Sequence, residues 1–182
     1  MQFSAVPLNL MKTHKKANYL VTGAWSEAAA QEAAKFGTVN LVTPKSKVFQ
    51  GMPDPATWKV AEDADYFHYC MNETVHGVEI HEFPFDKIPQ GMTVVCDMSS
   101  NFCSREIDWT KYGVVYAGVQ KNLGPAGVCV LIVREDLIGW EMERTPLLCS
   151  WKTFQKAPLQ YHNTPACWSI YVCGLNLKYL KE

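Results

Sequence analysis

The chain has 182 residues, 48% of them hydrophobic and 12% aromatic, a proportion that supports a packed core and excludes a disordered segment. Seventeen basic against 18 acidic residues leave a formal net charge of -1, which gives no electrostatic basis for a nucleic-acid or acidic-membrane partner. Seven cysteines without a CxxC pair, and no apolar run near the roughly 20 residues that span a bilayer, lead to the expectation of one soluble, cytoplasmic domain without a secretion signal.

In chain order, the basic run Lys12, His14, Lys15 and Lys16 reads as a solvated turn. Asn18 to Thr22 (NYLVT) predicts a short strand ending at Gly23. Trp25 to Phe36 (WSEAAAQEAAKF) predicts a helix that Ser26 caps and Gly37 stops. Strands are expected at Thr38 to Val42, Asp65 to Tyr69 and Thr93 to Cys96, with a loop over Gly51 to Pro55. Two further apolar runs, from Val114 to Val119 and from Val128 to Val133, enclose the stretch Gln120-Lys121-Asn122, whose lysine is thereby expected to be buried and in need of a carboxylate or a covalent use. GPAG after Lys121 turns the chain between those strands. Thr164 and Pro165 read as the N-cap and first turn of a last helix, with Trp168, Tyr171, Val172 and Leu175 on one side.

Short apolar strands separated by helical or loop segments predict an α/β fold with a sheet buried on both faces. In such sheets, ligand groups gather beyond the carboxyl ends of the strands. Those ends supply Trp25, Asn72-Glu73-Thr74, Asp97-Met98-Ser99 and Gln120-Lys121. An aspartate that needs a cationic partner, a lysine that needs a covalent use and a flat indole share one solution, pyridoxal phosphate: its aldehyde takes an amine, its pyridine nitrogen pairs with a carboxylate and its ring stacks on an aromatic face. His76 and His81 lack the spacing of a zinc motif, and no metal site is expected; His14, His68 and His162 read as structural or exposed.

Five blocks, GAWS, NETVHGVE, CDMSSNFCSR, GVQKNLGPAG and YHNTPACWSIYV, closely resemble in order and spacing the phosphoserine aminotransferase family, among the class V, fold type I pyridoxal-phosphate-dependent enzymes. The resemblance implies the large domain of that fold, a mostly parallel sheet flanked by helices, truncated at both ends. Residues 1–182 would be part of a cofactor-binding domain, without the N-terminal segment, its glycine-rich phosphate loop or the C-terminal small domain. It implies that Lys121 forms the imine with the cofactor and then moves the proton at the substrate carbon. Asp97 would keep the pyridine nitrogen protonated, Trp25 would stack on the ring, Thr74 would lie near the phenolic oxygen and Gln120 would bind the phosphate. Asn163 and Thr164 would reach the phosphate in the neighbouring subunit of a homodimer. His162 departs from the family pattern beside that pair.

The implied reaction is transfer of the glutamate amino group to 3-phosphohydroxypyruvate, giving O-phosphoserine and 2-oxoglutarate in serine biosynthesis. Two other readings stay open at this level. One is a catalytically inactive shortened subunit that binds the intact enzyme, since the arginines expected to grip substrate lie outside the chain. The other is a different fold type I enzyme such as a cysteine desulfurase, although Gln120 stands where a histidine would precede the lysine.

Overall fold

The computed structural model describes residues 1–182, the side chain of Gln160 excepted. Helix α1 spans Gln2–Leu10, where no element was expected, and it forms although Pro7 sits inside it and removes a backbone donor. Packing overrides that cost: Ala5, Val6, Leu8 and Leu10 are all buried. Strand β1 (Lys16–Tyr19) starts and ends earlier than predicted, and α2 (Ala24–Ala33) follows after Gly23. Then come β2 (Thr38–Leu41), β3 (Tyr66–Cys70), the small hairpin β4 (Asn72–Glu73) and β5 (Val78–Glu79), β6 (Thr93–Asp97), β7 (Val114–Gly118) and β8 (Cys129–Val133). Helices α3 (Trp151–Lys156) and α4 (Cys167–Lys181) complete the chain.

Six strands form one sheet in the order β2-β1-β3-β6-β7-β8, parallel except for the antiparallel pair β7 and β8. This is the α/β architecture expected. Every residue of β3 and β6 is buried. The edge strands β2 and β8 are only partly covered, so burial on both faces holds at the centre of the sheet and fails at its margins, where one neighbour is lacking.

Side chains alternate across the sheet and feed two cores. Beneath α1 and α2 lie Tyr19, Tyr66, Val95, Val114 and Tyr116. On the opposite face lie Phe67, Tyr69, Val94, Cys96, Val115 and Ala117.

Helix α4 departs from expectation in two respects. It begins at Cys167 after Ala166, so Thr164 does not cap it. The side carrying Trp168, Tyr171 and Leu175 is exposed, and the helix packs instead through small and polar residues on the loop that follows β7. Asn176 donates from Nδ2 to the Asn122 and Leu123 carbonyls (2.9 and 3.1 Å), and the Ser169 hydroxyl donates to the Ala126 carbonyl (2.7 Å). The approach is close enough that a Cβ on Gly124 would lie 2.8 Å from Cys173 Sγ. All seven cysteines are free thiols, and among the described residues no helix is long and apolar enough to cross a membrane.

Candidate active site

A cavity of about 300 Å³ opens at the carboxyl ends of the parallel strands, where it brings together Trp25, Thr74, Asp97, Gln120 and Lys121. Five of the seven residues singled out from the sequence therefore share one site. Asn163 and Thr164 do not line it. They border a second cavity of about 470 Å³, which shares Met1, Gln2, Val128 and Cys129 with the first.

Asp97 ends the central strand β6 and is 7% exposed. The backbone N–H and the hydroxyl of Ser99 both donate to its Oδ1, at 2.9 and 2.5 Å. The same hydroxyl oxygen accepts from the backbone N–H of Gly118 (3.1 Å), tying β6 to the end of β7. Burial is the largest influence on this carboxyl and raises its pKa; the Ser99 hydrogen bonds and the Tyr116 hydroxyl pull it down, while Glu73 pushes it up. An ionised Asp97 is thus held at a cost that a cation in the cavity would offset.

Lys121 is exposed, which corrects the expectation of a buried amine between two buried strands. The strands stop short of it, and a tight turn lifts it out. The Lys121 and Gly124 backbone N–H groups both donate to the Val119 carbonyl (each 2.8 Å). Asn122 Nδ2 donates to the Phe102 carbonyl (2.9 Å), and Leu123 is buried in the core. The loop is pinned, and the amine it carries makes no ion pair among the described residues. Gln120 is also exposed and folds back over the strand end, so that a Cβ on Gly118 would lie 2.6 Å from its Oε1. A side chain at 118 would make the Gln120 amide swing away from this position.

Trp25 stands in the first turn of α2 with 46% of its surface exposed, beside Phe3 at 6.5 Å between ring centroids. Ser26 serves the helix start as expected but from inside it: its Oγ accepts from the backbone N–H groups of Thr22 and Gly23 (2.9 and 3.1 Å). The main anchor was missed. Glu73, fully buried on β4, accepts from the Trp25 N–H through Oε2 (2.9 Å) and from the Ser26 N–H through Oε1 (2.7 Å). A carboxylate at a helix N-terminus satisfies orphan donors and favours the helix dipole. Gly23 makes the approach possible, since a Cβ there would lie 2.6 Å from Glu73 Cδ. Glu73 therefore fixes the indole of Trp25 on one side and its own neighbour Thr74, exposed in the β4 to β5 turn, on the other. Nothing local in NET signals this role, because both partners lie nearly fifty residues upstream.

The donor set suits pyridoxal phosphate: a buried carboxylate, a solvent-accessible amine, an exposed indole and hydroxyl and amide groups around one cavity.

Comparison with known proteins agrees along the whole chain. The aminotransferase class-V family model matches residues 1–182. A phosphoserine aminotransferase of Drosophila melanogaster is 48% identical over 181 residues, 100% of this chain and 49% of that protein. A probable phosphoserine aminotransferase of Caenorhabditis elegans is 45% identical over 181 residues, again 100% of this chain and 48% of the relative. Among solved structures, the phosphoserine aminotransferase of Trichomonas vaginalis with pyridoxal phosphate bound superposes with a TM-score of 0.90 at 37% identity, covering 99% of this chain and 50% of that one. The enzyme of Bacillus circulans subsp. alkalophilus gives 0.86 at 33% identity, covering 99% and 49%. The chain spans about half the length of the curated relatives it matches. With its sheet order, its strand-end cavity and a match from the first residue to the last, the chain belongs to the aminotransferase class-V family.

Proposed function

We propose that this chain forms the cofactor-binding core of a pyridoxal-phosphate-dependent phosphoserine aminotransferase, which transfers the amino group of glutamate to 3-phosphohydroxypyruvate and yields O-phosphoserine and 2-oxoglutarate. The observation that carries the reading is the placement of Lys121 and Asp97 on one strand-end cavity with Trp25 along its wall. When bound, the cofactor supplies an electrophilic carbon and a ring that delocalises carbanion charge. Everything else falls to the residues.

Lys121 is the only side-chain amine among the cavity-lining residues, so it is the group that can bond the cofactor's aldehyde carbon and, once released, hold and return a proton at the substrate carbon. Its pinned loop keeps that amine over the cavity. Asp97 would hold the cofactor's ring nitrogen and keep it protonated, and Ser99, donating twice to Oδ1, leaves Oδ2 for that role. Trp25 supplies the stacking face, Thr74 a hydroxyl for the phenolic oxygen and Gln120 an amide for the phosphate.

Asn163 and Thr164, outside the cavity in their own chain, suit a role across a homodimer interface toward a neighbouring cofactor. Residues 1–182 are in this reading part of the large domain. The test is turnover of phosphoserine with 2-oxoglutarate by the full-length protein. Activity dependent on pyridoxal phosphate supports the assignment, and cofactor binding without turnover overturns the substrate choice.

A further inference from the structure

The mechanism above uses two walls of the cavity, the β4–β5 hairpin with Thr74 and the turn with Lys121, but not what fixes one against the other. The segment from Ser99 to Arg105, which follows β6, is bonded to both. Toward the hairpin, the Ser100 hydroxyl donates to the Asn72 carbonyl (3.0 Å), and Asn101 Nδ2 and Arg105 Nη2 both donate to Glu79 Oε1, the first at 2.9 Å. Glu79 is the register partner of Asn72, two residues before Thr74. Toward the Lys121 turn, the Phe102 carbonyl accepts from Asn122 Nδ2 (2.9 Å). Asn72, Thr74, Ser100 and Lys121 line the cavity, whereas Glu79, Asn101 and Arg105 stand behind its wall.

Two features show that this segment is held at a cost. Asn101 is 6% exposed, yet its Oδ1 has no partner among the described residues. The amide cannot turn round to satisfy it, because a carboxylate only accepts and Nδ2 must therefore face Glu79. A buried acceptor left bare is unfavourable, and the bond to Glu79 outweighs it. Cys103, in the middle of the segment, has φ 62°, a left-handed backbone that residues with a side chain rarely adopt and that persists where the surroundings enforce it. The hydroxyl and the backbone N–H of Ser104 both donate to the Asn101 carbonyl (2.7 and 3.1 Å) and close the turn around it. The charged groups at the junction are Glu79, Arg105 and the exposed His81. Arg105 Nη1 donates to His81 Nδ1 (2.8 Å); because a guanidinium only donates, the imidazole proton sits on Nε2, 3.8 Å from Glu79 Oε2. Arg105 is thus the cation of the junction, and the Lys121 turn joins it through the Asn122 amide alone.

We propose that Glu79 is a positioning residue: through Arg105 and Asn101 it ties the segment after β6 to the hairpin that carries Thr74, and the segment holds the Lys121 turn through Phe102 and Asn122. The inference deepens the cofactor reading and rests on it for its purpose, while the bonds belong to the chain itself. The Glu79 and Arg105 side chains are 30% and 28% exposed, so their ion pair is screened less than one on the open surface. Each link is a hydrogen bond between groups far apart in sequence, 22 residues for Asn101 and Glu79 and 20 for Asn122 and Phe102, so the junction closes only in the folded chain. It keeps the Thr74 hydroxyl and the Lys121 amine at a set separation across the cavity, where a shift of about 1 Å can cost on the order of 10²-fold in rate.

The test begins with the full-length protein freed of cofactor and follows amide hydrogen exchange. Glu79→Ala, and the milder Arg105→Gln should the first fail to fold, are expected to speed exchange about tenfold, as loss of a charge-assisted hydrogen bond would, in the hairpin over 72–79 and at the Lys121 and Gly124 amides, with β3 and α1 unchanged. Arg105→Lys, which keeps a cation for Glu79, should hold both regions near the parental rate. In the cofactor-loaded enzyme, Glu79→Ala and Asn122→Ala should each lower kcat with a much smaller change in KM, and the double variant should lose little more than either alone, since both cut one path. Parental exchange at Lys121 and Gly124 in the folded variants, exchange that rises uniformly through the chain as for a merely structural Glu79, or losses of kcat that multiply in the double variant would overturn the proposal. Failure of pyridoxal phosphate to bind would instead sink the cofactor reading and leave the exchange result standing.

Discussion

The two groups that define the site are held in opposite ways. Asp97 ends a strand whose every residue is buried and accepts two hydrogen bonds from Ser99. Lys121 is free at its tip, and the rigidity lies in the turn beneath it, through Leu123 in the core, Asn122 on Phe102 and α4 across the top. An acid that must keep its charge next to a cation gains from a fixed, poorly solvated seat. An amine that must form and release a bond gains from freedom at the tip and order at the base.

That contrast is broken most severely at the amine. Lys121→Ala should reduce turnover by about 10⁴-fold, the upper end of what a positioned acid-base group contributes. Because the side chain is exposed and unpaired, stability should stay within about 0.5 kcal/mol of the parent, as denaturant unfolding would show. Asp97→Asn should reduce turnover by roughly 10²-fold or more, yet it should make the cofactor-free protein more stable at neutral pH. The sign follows from its raised folded pKa: the folded state binds more protons than the unfolded one, so stability is greatest below the unfolded pKa and falls as pH rises through the folded pKa. Asparagine removes that decline. A flat difference between the two proteins across pH 3 to 8 would contradict it.

Glu73→Ala removes the anchor that serves the start of α2 and leaves the backbone N–H groups of Trp25 and Ser26, the latter buried, without that acceptor. A loss of about 2 to 4 kcal/mol is expected, accompanied by weaker cofactor affinity as Trp25 loses its fixed position. The smallest effect belongs to Asn176→Ala, which loosens the Lys121 turn from α4 and should cost about 1 kcal/mol. Activity should fall with it while cofactor affinity changes little, separating the base of the loop from its tip.

The sequence made the strands legible because each is a short apolar run with a clear stop, and the observed β3, β6, β7 and β8 lie within a residue or two of the predicted limits. That five candidate residues at or just beyond those stops line one cavity follows from the same reason. The misses share a cause, which is that tertiary contacts decide them. Pro7 argues locally against α1, yet burial of its neighbours holds the helix. The apolar stripe of α4 reads as a packing face, while the helix packs through Ser169, Cys173 and Asn176 because close approach to a backbone loop requires small or hydrogen-bonding side chains. Glu73 and His68 are polar residues in otherwise apolar surroundings, and only contacts distant in sequence show what each one meets. Lys121 was read as buried because its neighbouring strands are, and the turn between them reverses that.

The most direct test of the account is where pyridoxal phosphate attaches. The full-length protein, loaded with cofactor and reduced with borohydride, should carry a pyridoxyl group on Lys121 when its peptides are mapped by mass spectrometry, and Lys121→Ala should carry none. A pyridoxyl group on another lysine, or no modification of a folded, cofactor-saturated protein, would contradict the assignment of this cavity as the active site.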